Sequence, residues 1–385
     1  MKQNTTYKQT ELGLIPEDWE VKKLGDLVNI KSGDSPTKFK LSESNGKYPY
    51  LKVEDLNNCN KYQSLSRNYS NDKFSIVKEN SIIFPKRGAA ILNNKVRINI
   101  IPVQMDSNLM ALTVKNEKSN VEFLYYKITK EGLFKIADTS TIPQINNKHI
   151  LPYKIPLPPL PEQKKIANCL STWDVAIEKQ NALINALTDR KKALMQQLLT
   201  GKKRLPGFSD EWKEVKLGSL CKVTTGKLDA NAMVENGIYR FYTCAKDYYL
   251  INEYKFDTEA LLISGNGANV GYIHYYKGKF NAYQRTYVLD KFKEDIFFIK
   301  YFLDYFLSQR ISNEKKEGNT PYIVLSTLTE MSIKLPSLSE QTAIAEILAT
   351  ADSELQLQKE KLAQLQTQKK GLMQVLLTGK KRLIN

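Results

Sequence analysis

Side chains that can hydrogen-bond to base edges follow two candidate strands, one in each half of the chain. Arg87 comes shortly after the apolar run 81–84, and Asn266 comes shortly after the apolar run 260–264. Arginine can bind guanine O6 and N7 through two hydrogen bonds, and asparagine or glutamine can bind adenine N6 and N7 in the same way. Both turns are therefore candidate nucleic-acid contacts.

The full candidate set contains two kinds of residue. Those near Gly33 and Gly226 suit phosphate positioning, because hydroxyl and ammonium groups bind phosphate oxygens without reading the base. They are Lys31, Ser32, Lys38, Thr224, Thr225 and Lys227. Those in or after the turns suit contacts with base edges. They are Lys86, Arg87, Asn93, Asn94, Lys95, Asn266, Asn269, Gln284 and Arg285. For any one residue, a solvated loop position is the alternative interpretation.

The net charge favours a polyanionic partner without deciding the matter. The chain has 57 Lys and Arg against 41 Asp and Glu, a formal net charge of +16. This balance suits DNA or RNA more than a membrane surface, although solubility alone would also explain it. Apolar runs are too short for a membrane span, and the four cysteines are scattered. A cytoplasmic protein with reduced thiols is expected.

The motifs that would indicate catalysis are missing. The chain has two histidines, His149 and His274, and neither has a metal-ligand partner at helical spacing. A Gly-x-x-x-x-Gly-Lys-Ser/Thr phosphate loop is absent, and so is the Asn-Pro-Pro-aromatic tetrad that amino-methyltransferases use. The sequence therefore predicts no catalytic residue, no metal site and no cofactor in this chain.

A duplicated segment determines how the candidate contacts are positioned. Residues 162–205 and 340–383 align without a gap at an offset of 178, and 22 of the 44 aligned positions are identical. Two long copies indicate a duplicated protein rather than a solenoid. Both copies end in Leu-Leu-Thr-Gly-Lys-Lys-Arg-Leu. Gly201 and Gly379 are predicted to end the helices in a left-handed conformation.

Each copy predicts a long helix with one seam, because its apolar residues alternate in steps of four and three. The first seam contains Ile166, Leu170, Trp173, Ile177, Gln180, Ile184, Leu187, Lys191, Leu194 and Leu198. The second contains Ile344, Leu348, Ala351, Leu355, Gln358, Leu362, Leu365, Lys369, Leu372 and Leu376. About 40 residues give a rod of roughly 60 Å. The helices are expected to pair with each other, and pairing with outside helices is the alternative.

The sequence similarity extends beyond the helices to the residues that frame each globular region. Trp19, Leu24, Gly25 and Gly33 recur at an offset of 193 as Trp212, Leu217, Gly218 and Gly226. Short β-rich runs and helical stretches at 121–130 and 296–308 indicate mixed α and β structure. The cores of the two regions align poorly. Predicted boundaries are 1–157 and 205–335 for the globular regions, and 158–204 and 336–385 for the helices.

This arrangement resembles the specificity subunit of type I restriction–modification enzymes across essentially the whole chain. The resemblance rests on Pro158-Pro-Leu-Pro-Glu-Gln163 and its echo Pro336-Ser-Leu-Ser-Glu-Gln341, each followed by a helix ending in Leu-Leu-Thr-Gly-Lys. It implies an α+β chain with two α/β target-recognition domains, separated by a long antiparallel two-helix coiled coil with internal pseudo-twofold symmetry.

The resemblance also implies partners. Double-stranded DNA would be read as two short sequences around an unread spacer, roughly 5–8 bp if half-site centres lie about one helical turn apart. Two methyltransferase subunits would methylate adenine N6 with S-adenosylmethionine. Two restriction subunits would add ATP- and Mg-dependent translocation and cleavage. The alternatives are the specificity subunit of a type IIB-like enzyme, a coiled-coil scaffold for protein interactions, and a free-standing nuclease or methyltransferase.

Overall fold

The computed structural model describes residues 6–115, 117–140, 142–314 and 322–383. The chain divides into two compact units. The first comprises residues 1–179 and 362–385, and the second comprises residues 180–361. The first unit is therefore discontinuous in sequence, because the C-terminal segment belongs to it.

The first unit is mostly β structure with short helices. Its strands are β1 (Tyr7–Thr10), β2 (Gly13–Pro16), β3 (Glu20–Lys23), β4 (Val28–Ser32), β5 (Leu41–Ser42), β6 (Tyr48–Leu51), β7 (Tyr62–Gln63), β8 (Tyr69–Ser70), β9 (Ser81–Pro85), β10 (Arg97–Asn99), β11 (Gln104–Met105), β12 (Leu109–Val114) and β13 (Lys154–Leu157). Its helices are α1 (Leu24–Leu27), α2 (Val121–Glu131), α3 (Leu133–Ile136), α4 (Asn147–Ile150), the first half of α5 (Leu160–Leu199) and the C-terminal part of α9 (Leu338–Leu376). Three short 3-10 helices are Pro36–Lys38, Val53–Asn57 and Ala89–Ile91.

The second unit has fewer and longer elements. Its strands are β14 (Lys213–Lys216), β15 (Lys222–Thr225), β16 (Tyr239–Tyr242), β17 (Tyr249–Ile251), β18 (Phe256–Ser264), β19 (Ile273–Ala282), β20 (Thr286–Asp290) and β21 (Ser332–Leu335). Its helices are α6 (Leu217–Leu220), α7 (Ile296–Glu314), α8 (Leu325–Thr329) and most of α9 (Leu338–Leu376), besides the second half of α5. A 3-10 helix spans Ala230–Ala232.

The two units share a strand order that the sequences of their cores do not reveal. The first unit has one sheet in the order β4-β12-β9-β10-β7 and another in the order β11-β6-β8-β5. The second unit has a single sheet in the order β15-β20-β18-β19-β16-β17. Strand β19 pairs antiparallel with β18 and parallel with β16. In the first unit β10 takes the antiparallel pairing with β9, and β11 takes the parallel pairing with β6.

Apolar strands and capped helices explain why these elements form. All five residues of β9 are buried, as its Ser-Ile-Ile-Phe-Pro sequence predicts for a central strand. Helix α2 begins where the Asn120 side chain accepts a hydrogen bond from the Phe123 amide, and Asp295 accepts one from the Phe298 amide at the start of α7. The core of each unit lies between its sheet and its helix, α2 or α7, and includes residues of the long helices.

The long helices pair antiparallel within each unit. In the first unit Glu162 binds Arg382 and Asp174 binds Lys369, so partner numbers fall as chain numbers rise. In the second unit Gln180 binds Gln358, Lys191 binds Asp352 and Arg204 binds Glu340. The last turns end at the two predicted glycines, whose φ values are 69° at Gly201 and 74° at Gly379.

Burial along the long helices follows the predicted seam. Eight seam residues are buried: Ile166, Leu170, Gln180, Leu198, Ile344, Leu348, Leu355 and Leu376. The others are half-buried: Trp173, Ile177, Ile184, Leu187, Lys191, Leu194, Ala351, Gln358, Leu362, Leu365, Lys369 and Leu372. The predicted α+β fold class with long antiparallel helices is confirmed. Within the described ranges, no helix is long and apolar enough to cross a membrane.

Candidate nucleic-acid interface

Four candidate contacts of the first unit, Lys31, Ser32, Lys86 and Arg87, lie where three strands have their ends side by side. Strand β12 lies between β4 and β9, and its first residues pair with the last residues of both neighbours. The Gly33 amide donates to Leu109 O at 3.1 Å, and the Lys86 amide donates to Asn108 O at 2.8 Å. We call this surface the first edge and define it as residues 31–34, 86–88 and 106–109.

The second unit builds the same surface from β15, β18 and β20. The Gly226 amide donates to Thr286 O at 3.2 Å, and the Gly265 amide donates to Arg285 O at 2.8 Å. We call this surface the second edge and define it as residues 224–227, 264–267 and 283–286. The two edges thus have matching backbone hydrogen bonds, although few of their side chains are the same.

A glycine is required at the same place in both edges. A Cβ atom on Gly33 would lie 2.1 Å from Asp106 O, and one on Gly226 would lie 1.9 Å from Ala282 O. No Cβ atom tolerates such a distance from a backbone oxygen, so the strand end and the neighbouring turn can approach this closely only at glycine. The recurrence of these glycines in sequence therefore reflects a close backbone approach.

Predicted residues in or next to the first edge differ in whether their side chains already have partners. Ser32 and Arg87 are exposed. Lys31 is half-buried and donates from Nζ to Ile76 O at 2.9 Å, and the exposed Lys38 forms an ion pair of 2.7 Å with Asp34. Exposed ion pairs of this kind contribute little stability, so Lys38 can exchange its partner for a phosphate.

Lys86 is half-buried, and its neighbour Arg87 is exposed. Burial lowers the pKa of its ammonium group, and the neighbouring guanidinium lowers that pKa further. Desolvation disfavours the charged form of a lysine, and a second cation nearby does the same. An incoming phosphate would oppose both effects, so Lys86 and Arg87 together form an anion-attracting pair at the strand end.

The predicted residues beyond this turn are not in the defined edge. Asn94 has a positive φ of 48° and is tied to the end of α2, since its Nδ2 donates to Thr129 O and its Oδ1 accepts from the Leu133 amide. Lys95 bonds to the Asn57 side chain, and Asn93 is exposed. The structure therefore gives Asn94 an internal role in the first unit.

The second edge carries Thr225, Lys227, Gln284 and Arg285, and Thr224 completes the end of β15. Thr224 and Thr225 are half-buried, whereas Lys227, Gln284 and Arg285 are exposed. Gln284 Nε2 donates to the Asp229 side chain at 2.7 Å. These side chains offer hydroxyl, ammonium, amide and guanidinium groups on one surface, which is the mixture that contacts both phosphates and bases.

The loop that follows β16 joins the second edge and was missed by the sequence analysis. Asn266 Oδ1 accepts from Cys244 Sγ at 3.1 Å, and Asn269 Nδ2 donates to Cys244 O at 3.0 Å. On the strand before this loop, the Arg240 guanidinium lies 4.3 Å from the Tyr248 ring centre and 4.5 Å from the Tyr276 ring centre. Such contacts hold a cation in place, and no repeat signal could have revealed them.

Backbone pairing adds one further residue to each edge. Arg87 pairs with Gln144, and Asn266 pairs with Tyr322, as isolated β-bridges. Residues 144 and 322 are related by the same offset of 178 as the helices, so extending the alignment upstream would have identified both. The Tyr322 side chain is 55% exposed, which leaves its ring available to a ligand.

The basic segments that follow the long helices are partly used inside the protein. Glu162 is 3% exposed and accepts two 2.7 Å hydrogen bonds from Arg382 and one of 2.9 Å from Trp19 Nε1. Glu340 accepts two of 2.8 Å from Arg204 and one of 3.2 Å from Trp212 Nε1. These guanidinium groups therefore stabilise the ends of the helices.

Neither histidine lies in a metal site within the described ranges. His149 Nδ1 accepts from the Asn146 amide at 3.0 Å at the start of α4. Burial lowers the pKa of the His274 imidazole, whose Nε2 lies 3.0 Å from Ala245 O. No group of three or more His, Cys, Asp or Glu residues in the described part of the chain could hold a metal ion.

Comparison with known proteins identifies the family. The model of the type I restriction modification DNA specificity domain matches residues 16–189 and 209–367, one match for each globular region with its adjoining helix. The chain belongs to this family. The predicted resemblance is confirmed, and so is the prediction that the chain is a DNA-recognition subunit without catalytic activity of its own.

Individual relatives agree with the family match. The MjaVIII specificity subunit of Methanocaldococcus jannaschii is 29% identical over 419 residues, covering 96% of this chain and 95% of that protein. The EcoDI specificity subunit of Escherichia coli is 45% identical over 171 residues, covering 44% of this chain and 37% of that protein. The S subunit structure from M. genitalium has a TM-score of 0.61 at 19% identity and covers 93% of this chain and 96% of that one, which shows a shared fold.

Proposed function

We propose that this specificity-family chain reads a bipartite, asymmetric DNA site, one half with each edge. The observation that supports this most strongly is that the two edges have the same backbone hydrogen bonds and different exposed side chains. Equivalent backbones would dock on DNA in the same way, while different side chains would select different bases. The bases between the two half-sites remain unread, over roughly 5–8 bp if the half-site centres lie one helical turn apart.

We infer that two methyltransferase subunits bind this chain, one in each unit, at the part of the paired long helices that the unit contains. The polar contacts of the pair occur twice, as Asp174 with Lys369 and as Asp352 with Lys191. A partner that recognises one copy finds the same groups at the other, which supports two copies of that partner. The partners would transfer a methyl group from S-adenosylmethionine to adenine N6, and restriction subunits using ATP and Mg would cut the DNA.

Exchange of one recognition domain tests this function. Residues 206–333 would be replaced by the matching domain of a relative, and the protein would be produced with its methyltransferase subunits. Sequencing the methylated adenines should show one half-site changed and the other retained. A change in both halves, or in neither, would contradict independent reading by the two edges.

Salt dependence provides a second test that does not need the partners. Phosphate contacts release counterions, so the logarithm of DNA affinity should fall linearly with the logarithm of salt concentration. A coiled-coil scaffold for protein interactions would bind DNA weakly at all salt concentrations. Affinity that does not depend on salt would therefore count against DNA recognition by these edges.

A further inference from the structure

Two positions in each edge are related by the backbone, and their residues are exchanged between the units. The first position is the second residue after the central strand, β9 or β18. It is Arg87 in the first edge and Asn266 in the second. The second position is the third residue of the four-residue turn that leads into β12 or β20, the strand paired with the central one. It is Asn108 in the first edge and Arg285 in the second. Each edge therefore has one arginine and one asparagine, in opposite places.

Matching hydrogen bonds establish the first position. The Ile145 amide donates to Lys86 O at 2.9 Å, and the Ile323 amide donates to Gly265 O at 2.8 Å. Lys86 and Gly265 immediately precede the first position. The β-bridges of Arg87 and Asn266 are to residues that are likewise 178 apart. Arg87 and Asn266 are thus equivalent, which the sequences of the two domains do not show.

Matching turns establish the second position. The Leu109 amide donates to Asp106 O at 2.9 Å, and the Thr286 amide donates to Tyr283 O at 2.8 Å, so each turn contains four residues. The third residue of each turn accepts a 2.8 Å hydrogen bond from the residue that follows the central strand. This bond links the two positions in each edge and places Asn108 and Arg285 at the same point.

The four side chains have hydrogen-bonding groups to spare. Arg87 and Arg285 are exposed, and neither guanidinium bonds to another side chain or backbone group among the described residues. Asn108 is exposed and donates from Nδ2 to Asp106 Oδ1 at 2.7 Å, and its Oδ1 accepts no hydrogen bond from any described residue. Asn266 accepts from Cys244 on Oδ1, and its Nδ2 donates to no group in the described ranges. Each amide retains a second donor or lone pair for the adenine edge.

We propose that each arginine–asparagine pair reads one guanine and one adenine in its half-site, and that the exchange places these two bases in opposite order. Arginine forms two hydrogen bonds with guanine O6 and N7, and asparagine forms two with adenine N6 and N7. This proposal rests on the proposed function, because it requires that both edges dock on DNA in the same way. It explains how one backbone framework selects two unlike half-sites.

Two double variants test the proposal. Arg87→Asn with Asn108→Arg gives the first edge the order of the second, and Asn266→Arg with Arg285→Asn does the reverse. Each variant keeps the net charge of its domain, so the salt dependence of DNA binding should not change. The complex with its methyltransferase subunits would methylate a DNA library with randomised half-sites, and the products would be sequenced.

The expected result is a change of preference at two base pairs in one half-site. At each of these two base pairs, the preference for the original base over the others should change by about 5- to 150-fold, the range of a good bidentate contact. In each variant the other half-site should be methylated as in the original protein. Circular dichroism should show that both variants fold, since three of the four residues are exposed and the fourth, Asn266, is half-buried.

Other outcomes separate this proposal from the proposed function. If the original complex methylates a bipartite site and both folded variants keep its base preferences, the exchange proposal is wrong and the proposed function stands. If the variants weaken methylation equally at every sequence, the four residues contact phosphates and the proposal is also wrong. If the original complex has no bipartite site, both fail.

Discussion

At the scale of single residues, a buried carboxylate depends on its ion pair more strongly than an exposed carboxylate does. Glu162 is 3% exposed, and the Arg382 side chain that binds it through two hydrogen bonds is 8% exposed. Arg382→Ala should lower the free energy of unfolding by on the order of 3 kcal/mol, because it leaves a buried charge without its partner. Urea unfolding would measure the loss, with Lys381→Ala, an exposed neighbour, as the control. Equal stability of the two variants would show that Glu162 does not depend on Arg382.

Glycines of this chain differ in what a methyl group would meet. Gly33→Ala places a Cβ atom 2.1 Å from Asp106 O, so we expect a loss of about 1–3 kcal/mol or more and weaker DNA recognition by the first edge. Gly371→Ala lies within α9, where no atom comes within 4 Å, and should stabilise the chain by about 0.5–1 kcal/mol. Thermal unfolding of both variants checks the signs. A stable Gly33→Ala variant with intact DNA binding would show that the edge can open.

The sequence marks some of these residues without showing what they contact. Gly33 and Gly226 recur near equivalent tryptophans, yet glycine is needed there because each contacts a turn about 55–75 residues away. The seam pattern includes Lys191 and Lys369 but does not show which aspartates pair with them. Partners that are distant in sequence follow from register, which composition and periodicity do not determine.

At the scale of elements, a hydrogen bond between two glutamines of the seam has a defined donor and acceptor, and single substitutions can test which is which. Gln180 Nε2 donates to Gln358 Oε1 at 2.8 Å and to Gln358 O at 3.0 Å, whereas no bond runs the other way between the two described side chains. Gln180→Glu removes the donor and brings a carboxylate against two oxygens at a position 6% exposed. We expect a loss of several kcal/mol in stability and weaker assembly with methyltransferase subunits.

Gln358→Glu is the matched control for that variant. It keeps the Gln180 donor and gives it a charged acceptor, which forms a stronger hydrogen bond. Urea unfolding and co-purification with the methyltransferase should therefore show little effect. Equal losses in the two variants would mean that any charge in the seam is harmful and that the direction of the hydrogen bond does not matter.

Strand order was harder to predict than the helices. Long periodic segments specify a helix locally, and α5 and α9 begin two residues after the predicted starts at 158 and 336, although they end at Leu199 and Leu376, before the predicted ends at 204 and 385. The sheets depend on pairings between distant segments, and the first unit divides between β10 and β11 the pairings that β19 makes as one strand. Because the strand is interrupted in the first unit and the side chains differ, sequence alignment does not reveal the strand order that the two units share.

At the scale of the whole molecule, each unit depends on segments far apart in the chain. The core of the first unit includes Leu376 and Leu377 from the C-terminal segment, which are 1% and 0% exposed. The core of the second unit instead uses Ile344 and Leu348, also from α9. The C-terminal residues therefore complete the domain that lies first in sequence, although they directly follow the part of α9 that supports the second.

Removal of residues 362–385 should consequently unfold the first unit, although the removed segment directly follows the second unit in sequence. The truncated chain loses Leu376 and Leu377 from the first core and leaves the buried Glu162 without Arg382, while every described residue of the second unit is kept. Hydrogen exchange should show that amides of β9 lose protection and that amides of β18 keep it, with the full-length chain as control. Protection lost first in β18 would contradict this division, because that strand lies in a core from which the truncation removes nothing.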